Sequence, residues 1–227
     1  MKNGRKIKDL LYEQVARIGK VFSSPKRLEL IELLCQGEKT VEVLAKEANI
    51  SLKLASAHLR ELRTAYLVDT ERQGKNIYYR LVDKSVADLW VQIHNLAEER
   101  LMELQSALQK IASQPNDLVP SDREGLLRAA RKGEVVVLDV RPAEEYLTAH
   151  LPFARSIPLN ELLQRIKELP KDRPIVAYCR GPLCLMAPDA VALLKEEGYS
   201  AHVLRDGVAE WSTNNPIKLH GLPVNAG

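Results

Sequence analysis

Cysteine is scarce: Cys35, Cys179 and Cys184 are the only three among 227 residues. So low and odd a count argues against a disulfide-stapled secreted fold and for a reducing, cytoplasmic setting. Long apolar runs are also lacking. None approaches the ~18 residues that a membrane span needs, so no membrane partner is expected. Met1 to Lys8 is basic, but a polar amphipathic stretch follows it where a signal peptide would carry an apolar core. Metal-ligand spacing is missing too. Cys179 and Cys184 have no further ligands beside them, since His150 and His202 are scattered. Neither metal nor cofactor is expected, and the chain shows no internal repeat and no low-complexity tract.

The length suits two domains of about 100 residues, each able to bury its own core. A formal net charge of +3 is too small to name a partner, but its distribution is informative. Residues 1–113 carry 19 Lys and Arg against 15 Asp and Glu, a net of +4; residues 114–227 carry 14 against 15, a net of −1. That asymmetry points to a polyanionic partner for the first half alone.

The first half reads as helices with one hairpin. Ser24-Pro25 opens a helix carrying Leu28, Ile31 and Leu34, which Gly37 ends. Thr40 caps a short helix with Val41, Leu44 and Ala48 on one face, and Ser51 caps another that buries Ala55, Leu59 and Leu62. Only Ala48 to Ser51 separates these two, the tight connection of a helix-turn-helix. A polar, glycine-containing tip at 69–76 then joins two β-rich runs into a hairpin. From 83 to 113 the apolar residues Val86, Trp90, Ile93, Ala97, Leu101, Leu104, Leu108 and Ile111 make one stripe. A single helix of that span would reach about 45 Å and suits homodimerisation.

The polar segment 114–117 is the expected linker between a domain over 1–113 and another over 118–227. Beyond it, continuous apolar runs at 135–138, 175–178 and 201–204 alternate with helical patterns at 122–131, 159–169 and 186–197. This grammar predicts an α/β domain with a parallel sheet.

The second helix of a helix-turn-helix lies in the major groove of double-stranded DNA. Its non-core positions here are Lys53, Ser56, His58 and Arg60, while the hairpin tip offers Arg72, Gln73 and Lys75 to phosphates or the minor groove. The residues 56–63 and 74–81 resemble the ArsR family of dimeric bacterial repressors, over roughly residues 10–110. That resemblance implies a winged helix-turn-helix that binds an operator as a homodimer. Metal-sensing members carry a cysteine pair where this chain has Thr40 to Val43, so the resemblance does not extend to metal sensing there. Thiol-sensing members pair a cysteine placed like Cys35 with one in the last long helix, and residues 83–113 contain none.

The strand at 175–178 runs into Cys179-Arg180-Gly181-Pro182-Leu183-Cys184-Leu185, with a helix behind. A cysteine at the C-terminal end of a central parallel strand sits where open α/β sheets place ligand chemistry. Converging loop N–H groups would form an anion cradle that lowers the thiol pKa and holds a persulfide, with Arg180 adding charge at the mouth. The segments Asp139 to Tyr146, His150 to Leu159 and Leu204 to Trp211, with this loop, resemble the rhodanese pattern over about 118–222. The resemblance implies that Cys179 accepts sulfane sulfur as a persulfide, while Asp139 and Arg141 hold the fold or the loop. Pro182 has no N–H to give the cradle, which disfavours thiosulfate as donor. Cys184 either attacks a Cys179 persulfide and releases sulfide, leaving a disulfide or polysulfur bridge, or is a small core side chain at the start of the helix. A phosphatase loop needs arginine six residues after its cysteine, and Leu185 stands there.

The expectation is therefore a winged helix-turn-helix regulator, a repressor, whose rhodanese-like domain senses reactive sulfur from a small sulfur-containing anion or polysulfide through Cys179. The alternative is a sulfurtransferase tethered to DNA by its N-terminal half.

Overall fold

The computed structural model describes residues 2–111, 118–119 and 123–214. The chain divides into two compact units, Met1–Trp90 and Val91–Gly227. The division falls inside a helix, well before the expected linker at 114–117, which lies outside the described residues.

The first unit runs α1 (Lys2–Phe22), α2 (Pro25–Leu34), β1 (Lys39–Thr40), α3 (Val41–Glu47), α4 (Leu52–Thr64), β2 (Val68–Gln73), β3 (Asn76–Leu81) and the start of α5 (Lys84–Arg100). Its core is built from Leu30, Ile31, Leu44, Leu59 and Leu62, all fully buried. Local chemistry sets the helix ends. Thr40 and Ser51 accept hydrogen bonds from the N–H groups of Val43 and Leu54, at 3.5 and 3.2 Å. Ser24 makes no such bond, so Pro25 alone starts α2.

Asn49 takes a left-handed conformation at φ 50°, and Ile50 N–H reaches back to the Ala45 carbonyl at 3.0 Å. This Schellman closure is what makes the α3–α4 connection tight. The hairpin closes at the pair Gln73–Asn76 through Gly74, whose φ is 64°. The short β1 pairs with β3 in the order β1-β3-β2, all antiparallel. Two residues carry no readable period, so β1 is invisible to sequence patterning.

In the second unit α5 is followed by α6 (Met102–Ile111), β4 (Leu118–Val119), α7 (Arg123–Lys132), β5 (Val136–Asp139), α8 (Ala143–Thr148) and β6 (Arg155–Ser156). Then come α9 (Leu162–Arg165), β7 (Ile175–Tyr178), α10 (Met186–Glu196), β8 (Ala201–Leu204) and α11 (Val208–Asn214). Five strands form a wholly parallel sheet in the order β4-β8-β7-β5-β6. Strand parity sorts its two faces. Val136, Leu138, Ile175 and Ala177 join one apolar cluster with α9 and α10. Val137, Val176 and Tyr178 join the other with Leu126, Leu151 and Trp211.

Two sequence expectations need correction. The single helix over 83–113 is divided at Leu101 into α5 and α6, with residues 112 and 113 outside the described set. The Gln105 side-chain amide donates to the Glu98 carbonyl at 2.7 Å. In a straight helix seven residues rise about 10 Å, so this bond marks a bend that periodicity cannot show. The helix expected at 159–169 is α9 between two 3₁₀ turns, Leu159–Glu161 and Ile166–Glu168. Leu159 N–H is drawn to the Val140 carbonyl at 3.0 Å, which ties the start of that run to the end of β5.

Candidate functional site

Two sites emerge, one in each unit. On α4, Ala55, Leu59 and Leu62 are buried, and Lys53, Ser56, Arg60 and Arg63 follow one another along one flank at helical spacings of three and four. Lys53, Arg60 and Arg63 are exposed. His58 falls on another flank, half-buried; its pKa is lowered by that burial and by the charge of Arg27, against the opposing charge of Glu61. The structure therefore groups Lys53, Ser56 and Arg60 and leaves His58 out. Sequence reasoning missed Arg63, although its step of three from Arg60 was there to be read. At the hairpin tip Arg72, Gln73 and Lys75 are all exposed. The Arg72 Nε donates to the Gly74 carbonyl at 3.2 Å, and the Gln73 amide donates to Glu38 at 2.8 Å.

The second site is the loop from Cys179 to Leu185, between β7 and α10. All four residues of β7 are buried, so Cys179 continues a core strand and is itself 3% exposed. Gly181 makes the bend at φ 152°, and the Cys184 N–H closes onto its carbonyl at 3.1 Å. This folds the loop back so that the two sulfurs meet. The Cys179 thiol also donates to the Cys184 carbonyl at 3.4 Å. Pro182 and Leu183 form the half-exposed crown, and Leu185 is exposed at the start of α10.

The cradle exists, but it serves both sulfurs unequally. Burial pushes the Cys179 thiol well above the ordinary value, and the neighbouring Cys184 pushes it further, against backbone N–H bonds from Ala187 and Gly181. Cys184 goes the other way, lowered to about 7. The hydrogen bond from Cys179 is its largest cause, joined by the N–H groups of Arg180 and Met186 and the charge of Arg180, against the cost of burial. Of the two thiols, Cys184 is the one that the surrounding N–H groups and the Arg180 charge favour as thiolate.

Arg180 does not stand open at the mouth. Its Nη2 lies 2.6 Å and its Nε 3.1 Å from Glu145, a carboxylate of α8 whose side chain is 1% exposed. Beneath the loop, Arg141 and Asp139 form a fully buried fork, and the Tyr178 hydroxyl donates to Asp139. Together these groups join the end of β5 to the end of β7.

A cavity of about 960 Å³ opens onto Cys179 and Cys184. The bend between α5 and α6 brings Glu98, Gln105 and Leu108 to its wall opposite Pro182 and Pro188. That volume belongs with pockets for organic ligands. Among the described residues no group of three or more His, Cys, Asp or Glu is disposed to hold a metal ion. In the first unit, Cys35 is half-buried at the end of α2.

Residues 24–70 match the bacterial regulatory protein arsR family, and residues 122–214 match the rhodanese-like domain. The HTH-type transcriptional regulator Rv0324 of Mycobacterium tuberculosis is 42% identical over 220 residues, covering 97% of this chain and 94% of that protein. The chain is an ArsR-family transcriptional regulator with a rhodanese-like domain. A protein named sulfurtransferase from Allochromatium vinosum is 33% identical to the regulator over 100 residues, covering 44% of its chain and 86% of the relative. Among solved structures, the homodimeric winged helix-turn-helix DNA-binding domain of Mb0332 from Mycobacterium bovis is 38% identical. That likeness covers 42% of the regulator and 89% of the solved chain, with a TM-score of 0.40. No described helix is long and apolar enough to cross a membrane.

Proposed function

We propose that the regulator is a homodimeric repressor whose affinity for operator DNA is set by sulfane sulfur at the Cys179–Cys184 pair. The observation that carries this reading is the meeting of two thiols in one loop, one of them acidified, on a cavity large enough for a donor. The Cys184 thiolate attacks the terminal sulfur of a persulfide RS–SH. The donor S–S bond breaks, and RS⁻ leaves with the electron pair and takes up a proton. Cys184 now carries –S–SH. The Cys179 sulfur then attacks the inner sulfur, and its proton leaves with the departing HS⁻ as H₂S. The product is a Cys179–Cys184 disulfide. The loop motif assigns the persulfide to Cys179 first. The burial of that thiol favours the reverse order with the same product.

Lys53, Ser56, Arg60 and Arg63 form the groove-reading face, with Lys75 and Arg72 on the wing. The dimer is supported by α1, where Ile7, Leu10, Leu11 and Val15 are each more than half exposed along one helix. A run of that kind in water is suited to a second copy.

A second reading, sulfur transfer by turnover, is favoured by the likeness to the Allochromatium sulfurtransferase. Mass spectrometry after treatment with an organic persulfide separates the two. A stable Cys179–Cys184 bridge, formed once per chain, supports the switch. Continuous thiocyanate formation with cyanide as acceptor, or sulfide release with excess thiol, and no accumulated bridge, supports the enzyme.

A further inference from the structure

The Glu210 carboxylate of α11 lies between α5 and the cysteine loop. Its Oε1 is 3.1 Å from His94 Nε2, and both side chains are 3% exposed. Its Oε2 accepts the Gly207 N–H at 2.8 Å. The same carboxylate closes on Gly181 so tightly that an added Cβ there would meet its oxygens at 3.0 and 3.1 Å. Gly207 in turn packs against the loop backbone, where a Cβ would meet the Arg180 carbonyl oxygen at 2.4 Å and the Cys179 oxygen at 2.8 Å. One buried carboxylate therefore touches the bend of the loop, fixes the glycine that backs Cys179 and Arg180, and holds a ring on α5.

A buried carboxylate and imidazole are costly to desolvate, and their retention calls for a role that apolar packing would not fill. From these contacts we infer that His94 and Glu210 are positioning residues that lock the two-thiol loop to α5, so that loop conformation and helix position report on each other. The direction of action follows from the contacts. With Glu210 held by His94, Gly207 presses on Arg180, and Arg180 presents its N–H to Cys184. Bridging the two sulfurs shifts the loop at Gly181, against which the carboxylate is packed, and the displacement arrives at His94. The helix that carries His94 begins at Lys84, so the displaced residue belongs to an element whose first turns lie in the DNA-binding unit. This inference deepens the sulfur-switch reading and rests on it for its purpose, although the lock itself can be tested without DNA.

The test compares wild type with His94→Leu, His94→Gln and Glu210→Gln, using the rate of Cys184 alkylation by iodoacetamide at neutral pH, with peptide mapping to assign the site. Circular dichroism melts confirm that each protein is folded. His94→Leu is expected to slow alkylation by about fivefold as the loop loosens and the thiolate loses its N–H partners. His94→Gln, which keeps a donor near the Nε2 position, is expected to restore the wild-type rate. Glu210→Gln is expected to behave like His94→Leu if it folds, and the His94 pair decides the matter if it does not. Equal rates in wild type and a folded His94→Leu protein would overturn the lock. The same proteins are then assayed for DNA affinity with and without organic persulfide. A wild type whose affinity ignores persulfide while His94→Leu still alters alkylation would sink the sulfur-switch reading and leave the lock standing.

Discussion

Arg180 donates to Glu145 through both Nε and Nη2, and it does so from the loop that carries the two thiols to a buried carboxylate of α8. One guanidinium thereby neutralises a buried charge and lowers the Cys184 pKa. Arg180→Ala would leave Glu145 buried without this partner. The expected cost is about 3 kcal/mol, read from the urea midpoint of the second unit. Replacing Arg180 with Lys keeps the charge but loses the fork, and should fall between the two.

The acidified thiol sets a pH dependence. Thiolate is the reacting form, so Cys184 alkylation should rise with pH about a midpoint near 7. Cys179→Ala removes the largest cause of that lowering, so its midpoint should move upward toward the ordinary thiol value. A Cys179→Ala profile that overlies the wild type would show that the cradle alone acidifies Cys184.

Gly207 has no room for a side chain. A Cβ at that position would stand 2.4 Å from the Arg180 carbonyl oxygen, and all three of the nearest atoms are backbone. Gly207→Ala should therefore push the loop from its place and cost about 2 kcal/mol. Differential scanning calorimetry and Cys184 alkylation should change together.

The α4 face can be separated residue by residue. Lys53→Ala and Arg60→Ala should each weaken operator binding and reduce the salt slope by about 0.9 for every phosphate the missing cation would have neutralised. His58→Ala should leave the slope unchanged, because its ring lies off that face. Anisotropy titrations across a salt series would record all three.

Much of this molecule is legible in its sequence because the signals are local. Thr40 and Ser51 cap the helices expected of them, and the apolar runs at 135–138 and 175–178 become β5, shifted by one residue, and β7. What sequence could not show depends on partners far along the chain. The bend at Leu101 depends on a Gln105 side chain reaching Glu98 and leaves the apolar stripe intact. The burial of Cys179 among residues of α10 and β8 is recorded in no motif. Arg180 loses its expected place at the mouth because Glu145, 35 positions earlier, reaches it in space. His94 and Glu210 are 116 residues apart and belong to no shared block of sequence.

The proposed function requires that sulfur at the Cys179–Cys184 pair change DNA affinity. Its most direct test is fluorescence anisotropy of the regulator on its own upstream DNA at fixed salt, before and after organic persulfide, with Cys179→Ser and Cys184→Ser alongside. Sulfur loading should weaken wild-type binding by about tenfold, or 1.4 kcal/mol, and should leave both serine variants unchanged. Equal affinity before and after treatment, in a protein shown to carry the bridge, would contradict it.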